Sequence, residues 1–454
     1  MLKNQPTAAI LTLGCKVNQY ESEALAEAMT HVGFILLPST EICDLYIVNS
    51  CTVTAESDRK SRQAVRKLLA KNPLAYMIVT GCSAETNTKR MAAIPGVDVV
   101  VGNRCKMSVA SYAHALIQQG HKNETAKVDV PALSDAAFEP MSITKFDRTR
   151  AYVKIQDGCE SKCAYCTIPQ ARGPLRSKPL EDVISEVTYL TRNGCREVVL
   201  TGIETGAWGK DLGKEYTLAS LLRAVDAIDG ISRVRLGSLD PTVITEAFAQ
   251  AVGNLKSIAP HFHLSMQSGC SSTLARMRRK YNVTQAEAAM ARLRDVMPNV
   301  KFTTDIIVGF PGETREEFEQ TLAFVARAGF LHVHAFPYSK RVGTPAATMD
   351  GQIDEATKKE RVHQLSALAQ ESARAILQAQ IAAPRTLSVL FETCQKDQEK
   401  YLFKGHTPDF IEVEVSADID LRGKIYDVTP WRIKDGLLLC KLCPCQSTQM
   451  KEHL

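Results

Sequence analysis

Three short apolar, β-branched segments near the N-terminus, "AAILTLGC", "LYIVNSC" and "YMIVTGC", each run into a small or polar residue and then a cysteine. A helical pattern follows each one, around "NQYESEALAEAMTHVG", "SDRKSRQAVRKLLAK" and "AETNTKRMAAI". Strands that alternate with helices pair in parallel, as βαβ units with helices covering the sheet. Open sheets of this kind place their ligand sites at the carboxyl ends of the strands. Cys15, Cys51 and Cys82 fall at three such ends and are predicted to converge there. A free cysteine at a strand end can equally be a small buried hydrophobe. Recurrence in one context, which Cys43 and Cys105 do not share, points instead to a three-thiolate metal site.

Residues 121–147, polar and without a sustained period, read as a linker that closes an N-terminal domain at 1–120. Beyond it "AYVKIQD", "EVVLTGI", "RVRLGSL", "HFHLSMQ", "FTTDIIVG" and "LHVHAFPYS" alternate with helical stretches. Six βα repeats are too few for a closed eight-stranded barrel. Residues 148–382 are therefore predicted to form a partial (β/α)6 barrel with its site at the C-terminal mouth. Over 384–443 the pattern changes to "RTLSVLFE", "KYLFKGHT", "DFIEVEV", "GKIYDVTP" and "GLLLCKL", short strands parted by turns that predict a small β-barrel. Such barrels often grip RNA, but 9 Lys and Arg stand against 10 Asp and Glu over 385–445, so any RNA contact there must use one face. Residues 444–454 form a tail. The fold class is α/β, with three domains.

"DGCESKCAYC" places Cys159, Cys163 and Cys166 just past the first barrel strand. A structural zinc site normally closes with four Cys or His ligands, and no fourth lies nearby. A four-iron cluster on three thiolates leaves one iron open to a small molecule. The spacing favours iron and sulfur, with a zinc knuckle as the alternative. The start "MLKNQPTAAILTLGC" lacks a secretory leader and no apolar run approaches a membrane span, so the 14 cysteines read as reduced thiols of a cytoplasmic protein. A net charge of +5 does not itself mark a nucleic-acid partner. The basic runs at 57–71 and "RMRRKY" at 276–281 are either phosphate contacts or solvated helix faces.

The CxxxCxxC at Cys159–Cys166 resembles the radical S-adenosylmethionine superfamily. Together with "TLGCKVNQYES", "CTVTAESDRKSR", "TGC", "IPQARGP", "SMQSG" and "TDIIVGFPGET", it makes the chain resemble the methylthiotransferases over nearly its whole length, ending in a TRAM domain. The resemblance implies two 4Fe-4S clusters. One, on Cys159, Cys163 and Cys166, chelates S-adenosyl-L-methionine at its open iron, where one electron cleaves it to a 5′-deoxyadenosyl radical. The other, auxiliary cluster on Cys15, Cys51 and Cys82 carries sulfur that a second S-adenosylmethionine methylates before delivery. An unactivated C–H bond is beyond side-chain acids and bases, which is why a cofactor must supply the radical. An electron donor such as flavodoxin or ferredoxin is implied as well.

"GCKVNQYES", with Lys16 and Val17 after the first cysteine, resembles the branch that methylthiolates C2 of N6-threonylcarbamoyladenosine next to a tRNA anticodon. C2 lies on a base edge that must leave its stack to react, and an anticodon stem-loop makes that unstacking cheap. Branches acting on isopentenyladenosine or on a ribosomal-protein aspartate share the cluster residues and stand as alternatives, as does a non-catalytic, zinc-stabilised RNA-binding protein.

Further candidates are local. Gly202 and Glu204 in "TGIETG" occupy the place where, by the resemblance, the methionine end of the cofactor is held; a plain strand-to-helix turn is the competing reading. Thr314 and Glu317 fit a capping box. Asp305 reads as a satisfied buried carboxylate, and His261, His263, His332 and His334 as packing residues on alternating strand positions. Lys404, His406, Arg422 and Lys424 are the candidate RNA contacts of the small barrel. Gln170 stands where the family pattern expects an aromatic, and the extra Cys440, Cys443 and Cys445 are either zinc ligands or a thiol-rich end.

Overall fold

The computed structural model describes residues 5–134, 137–146, 149–397 and 400–444. The N-terminal unit runs β1 (Thr7–Thr12), α1 (Lys16–His31), β2 (Ile35–Leu36), β3 (Leu45–Ser50), α2 (Ala55–Lys71), β4 (Tyr76–Gly81), α3 (Cys82–Thr86), α4 (Thr88–Ala92), β5 (Val99–Val101), α5 (Val109–Gln119) and β6 (Lys127–Asp129). The six strands form one parallel sheet in the order β2-β1-β3-β4-β5-β6. β3 is buried at all six residues because helices cover both faces of a central parallel strand. Tyr46, Val48 and Val79 pack on Val65 and Leu68 of α2, while Leu45, Ile47 and Ile78 pack on Leu25 and Met29 of α1 and Leu116 of α5. Because β1, β3 and β4 are neighbours, their carboxyl ends align, and Cys15, Cys51 and Cys82 lie just beyond them.

The stretch read as a linker does more than connect. It supplies β6 to the sheet edge and buries Met141 and Ile143 in the barrel core. A three-residue edge strand is too short for its period to register in sequence.

The second unit contains β7 (Ala151–Lys154), β8 (Gln156–Asp157), α6 (Ile168–Arg172), β9 (Arg176–Ser177), α7 (Leu180–Arg192), β10 (Glu197–Thr201), α8 (Leu218–Asp226), β11 (Arg233–Leu236), α9 (Glu246–Gly253), β12 (His261–Gln267), α10 (Ser271–Arg276), α11 (Val283–Val296), β13 (Lys301–Val308), α12 (Arg315–Ala328), β14 (His332–Pro337) and α13 (Glu355–Ala382). Parallel triplets β7-β10-β11 and β12-β13-β14 are joined by isolated bridges at Val234–Ile258 and Leu239–Leu264, giving the six-stranded partial barrel. The capping box of Thr314 and Glu317 opens α12. The curve stays open between β7 and β14, and the N-terminal unit spans the gap. α1 lies on β7 through Glu21 and Lys154, 2.7 Å apart. On the β14 side Ala55 N donates to Ser339 Oγ at 3.1 Å and Arg341 Nη2 to Thr52 Oγ1 at 2.6 Å. Among the described residues no helix is long and apolar enough to cross a membrane.

A closed barrel of β15 (Leu387–Asp397), β16 (Lys400–His406), β17 (Glu412–Ala417), β18 (Ile425–Lys434) and β19 (Leu437–Leu442) completes the chain. It caps the amino ends of the large barrel's strands, where Arg233 donates to His406 O at 3.1 Å and Ser388 O at 2.9 Å. Its Thr407–Ile411 turn inserts Phe410 between His261 and His406, with ring centroids 4.4 and 4.5 Å apart. Phe410 adopts φ +73°, a left-handed backbone that costs a bulky residue about 1–3 kcal/mol. The two stacked pairs offset this at about 0.5–1.5 kcal/mol each. Phe410→Ala keeps the strain and loses the stack, so amide hydrogen exchange across 387–442 is expected to accelerate relative to the N-terminal sheet.

Candidate functional site

The first thiol site is built at the mouth of the large barrel. The chain leaves β8 through Gly158, at φ +74°, where a Cβ would overlap the Pro174 carbonyl oxygen. Cys159 N then donates to Gly173 O at 3.0 Å, fixing the loop. Cys159 Sγ accepts from Ser161 N and Cys166 Sγ from Ile168 N, both at 3.4 Å. Cys163 Sγ accepts from Arg279 Nη1 at 3.2 Å, and Arg279 is itself held by Asp240 at 2.7 Å and Ser265 O at 3.0 Å. Gln156 joins the first two strand ends: its Oε1 accepts from Glu204 N, and its Nε2 donates to Gly158 O, each at 2.7 Å. This brings the Glu204 carboxylate to 3.1 Å from Cys159 Sγ. Burial first, then Glu204, pushes the Cys159 thiol up to about 12, and burial takes Cys166 to about 11. Gly202 is required by packing, since a Cβ there would stand 2.8 Å from Gln156 Oε1. Thr167 Oγ1 and Thr205 Oγ1, next in sequence to Cys166 and Glu204, are buried without a hydrogen-bond partner.

The second thiol site lies at the aligned ends of β1, β3 and β4. Gly14, at φ +105°, lets the turn close on Cys51, whose Sγ would be 2.9 Å from an added Cβ. Cys15 is solvent-accessible yet crowded by protein atoms that raise its pKa. Cys51 is pushed to about 11, chiefly by burial. Cys82 Sγ accepts from Arg172 Nε at 3.2 Å. Among the described residues no three His, Cys, Asp or Glu side chains are grouped to hold a metal ion; cluster ligands attach to different irons rather than sharing one.

Behind Cys82 is a buried charge hub. Lys106, Lys154 and Arg172 all pair with Glu21, and Lys154, Arg172 and Arg176 with Asp157. Four cations thus share two carboxylates, all at most 5% exposed. The nearby carboxyls Glu85 and Glu139 are raised by burial, Glu139 to about 7. Buried charge requires compensation, and Arg172 is the cation of this hub that reaches a thiol, Cys82.

The concave face of β12–β14 carries His263, Asp305, His332 and His334 in neighbouring register. Asp305, expected to be a buried carboxylate, is half-exposed there and lies 3.2 Å from His263 Nε2. His332 and His334, expected to pack, are exposed on the same face with rings 4.3 Å apart, because an open barrel leaves its inner strand positions unfilled. His261 does pack, against Phe410. Lys16 is exposed beside Cys15 and makes no ion pair with any described residue; crowding, Arg150 and Arg235 lower its pKa.

The RNA candidates of the small barrel divide. His406 is committed to the domain interface, 2.7 Å from Glu392 and stacked on Phe410. Lys404 lies 3.9 Å from Glu414, and Arg422 pairs with Asp420 at 2.6 Å. Lys424 is exposed. Trp431, 49% exposed with the Lys441 ammonium 5.6 Å from its ring, carried no signal in sequence. Of the basic runs, Arg59 pairs with Glu56, Arg62 with Asp58 and Arg276 with Glu317, and Arg279 belongs to the Cys163 site. Gln170 Nε2 donates to Gly343 O at 3.2 Å. Cys440 is buried in β19 and Cys443 lies 3.5 Å from Thr429 Oγ1, whereas Cys445 is outside the described residues.

Comparison with known proteins places this geometry. Residues 153–325 match the radical SAM superfamily, and residues 7–102 match Uncharacterized protein family UPF0004. The threonylcarbamoyladenosine tRNA methylthiotransferase MtaB of Bacillus subtilis is 39% identical over 93% of both chains. MtaB of Thermotoga maritima is 38% identical over 80% of this chain and 82% of its own. The tRNA-2-methylthio-N(6)-dimethylallyladenosine synthase of Acetivibrio thermocellus is 31% identical over 92% and 87%. Among solved structures, the radical S-adenosylmethionine methyltransferase TsrM from Kitasatospora setae shares the fold, with a TM-score of 0.55 at 16% identity over 76% of this chain and 77% of that one. The central unit is therefore a radical SAM domain. The whole chain belongs to the methylthiotransferase family, in its threonylcarbamoyladenosine branch.

Proposed function

We propose that this protein converts N6-threonylcarbamoyladenosine next to a tRNA anticodon to its 2-methylthio form by radical S-adenosylmethionine chemistry. The observation that carries the reading is the pair of cysteine triplets on separate domains, joined through the short helix α6, which donates to Cys166 and, through Arg172, to Cys82. N–H donors aimed at Cys159, Cys163 and Cys166, with two buried unpartnered hydroxyls beside them, suit a thiolate-bound 4Fe-4S cluster with S-adenosylmethionine. The fully buried Arg172 guanidinium, bonded to Cys82, suits a second, anionic cluster on Cys15, Cys51 and Cys82. When bound, these groups supply the radical that removes an unactivated hydrogen and the sulfur that replaces it.

The chain's own residues do the rest. Glu204, next to Cys159, is placed to receive the amino group of the cofactor's methionine end. The Phe410 plug covers the amino end of the barrel, and the N-terminal unit spans its open side, so solvent is kept from a reactive radical. Exposed Lys424, Trp431 and Lys441 offer cations and a stacking face for the stem-loop.

Lys16 is suited to the carboxylate that a threonylcarbamoyl group carries and an isopentenyl group lacks. Lys16→Gln is expected to raise KM for the modified tRNA at least about tenfold, the value of one charge-assisted hydrogen bond, with smaller change in kcat. The functional reading itself is tested by mass spectrometry of tRNA nucleosides from cells lacking the gene. The 2-methylthio form should be absent and return on complementation; unchanged nucleosides would redirect attention to a protein substrate.

A further inference from the structure

The short helix α6 touches both thiol sites. At its start, Ile168 N donates to Cys166 Sγ at 3.4 Å; at its end, Arg172 Nε donates to Cys82 Sγ at 3.2 Å. Arg172 is fully buried. Its Nη1 reaches Glu21 and Asp157, and its Nη2 reaches Asn18 Oδ1 at 2.6 Å and Glu21 at 3.1 Å. The guanidinium fork is therefore held rigidly, and the remaining N–H is aimed at a single sulfur. Asn18 extends the anchor, donating to Leu13 O at 2.7 Å and Ser50 O at 3.0 Å, the segments that carry Cys15 and Cys51. Neither carboxylate neutralises Arg172 alone, since Lys106, Lys154 and Arg176 share them.

We propose that Arg172 is a positioning residue for the auxiliary cluster, its N–H···S bond to Cys82 raising that cluster's reduction potential and holding the sulfur-bearing site against the radical site. The inference rests on the two-cluster reading above. A cation that donates to a ligand sulfur stabilises the extra electron of the reduced cluster, so its removal lowers the potential. A helix anchored at one thiol site and bonded to the other fixes their separation, on which delivery of sulfur to an activated carbon depends.

The test uses the full chain carrying C159A, C163A and C166A, so that only the second site can load. Iron and sulfide are assayed, and the cluster is titrated electrochemically by electron paramagnetic resonance. Arg172→Gln is expected to retain iron and titrate at a lower potential, with Arg172→Lys, which keeps the charge but not the fork, in between. If the parent holds no iron, the two-cluster reading fails. If the parent is loaded and Arg172→Gln titrates at the parental potential, the role of Arg172 fails while that reading stands. Should Arg172→Gln not load, Arg172→Lys decides: a lowered potential supports the role and an unchanged one overturns it.

Discussion

Cys159→Ala and Cys15→Ala are expected to abolish methylthiolation alike and to separate on a second assay, reductive cleavage of S-adenosylmethionine to 5′-deoxyadenosine. Cys159 stands at the barrel mouth with Glu204 at 3.1 Å, so its loss removes both a proposed cluster ligand and the neighbour of the residue proposed to hold the cofactor's methionine end. Cleavage should fall to background. Cys15 belongs to another domain and is bonded to none of the first site's residues; it caps α1 without using its side chain. Its replacement by alanine should leave that fold intact and cleavage near the native rate, while product disappears because the sulfur-bearing site is incomplete. Single-turnover assays with dithionite read both quantities from one sample. Full methylthiolation by Cys15→Ala would falsify the assignment of two sites, and loss of cleavage in both variants would mean that they form one.

Why so much of this was legible in sequence is a matter of period. β3 is apolar through its first four residues and buried at all six because it is covered on both faces, and the three strand-end cysteines mark a sheet edge that parallel pairing must bring together. The five strands of the small barrel are short and parted by turns, so their number and order were plain, although β15 and β18 run on past the segments read as strands, to Asp397 and Lys434. Charge hid the rest. Arg279 sits in a basic run that reads either as phosphate contact or as solvated surface, yet it is pulled inward by Asp240 and Cys163, which lie 39 and 116 residues away. Glu21 and Lys106, 85 residues apart, carry no local pattern that pairs them; Glu21 meets Lys106 within the N-terminal unit and Lys154 where α1 docks on β7. Long-range compensation of charge leaves no local pattern. Asp305 and the exposed histidines misled for the opposite reason, since strand periodicity does not show whether an inner face is filled.

The charge hub gives the largest stability effect expected in the chain. Glu21→Gln leaves Lys106 without its buried ionic partner and Lys154 and Arg172 to share Asp157 with Arg176, all within the interior. Removing one partner from a buried ionic network costs about 3–5 kcal/mol, because the remaining charges stay desolvated. The loss should appear as a lower midpoint for both the N-terminal unit and its docking on the barrel, since Glu21 bonds across that boundary. Its pH dependence follows from the same geometry. Burial alone would raise the Glu21 carboxyl, but Arg172, Lys106 and Lys154 outweigh it and hold the folded pKa well below the usual range. A carboxylate depressed on folding adds stability that is fully present above its unfolded pKa, about 4.3, and is lost as pH falls through the folded value. The gap in denaturation midpoint between native protein and Glu21→Gln should therefore be constant from neutral pH to about 5 and narrow below about 4. A gap that stays constant through pH 3 would mean that steric packing, rather than the carboxylate's charge, holds the two domains together.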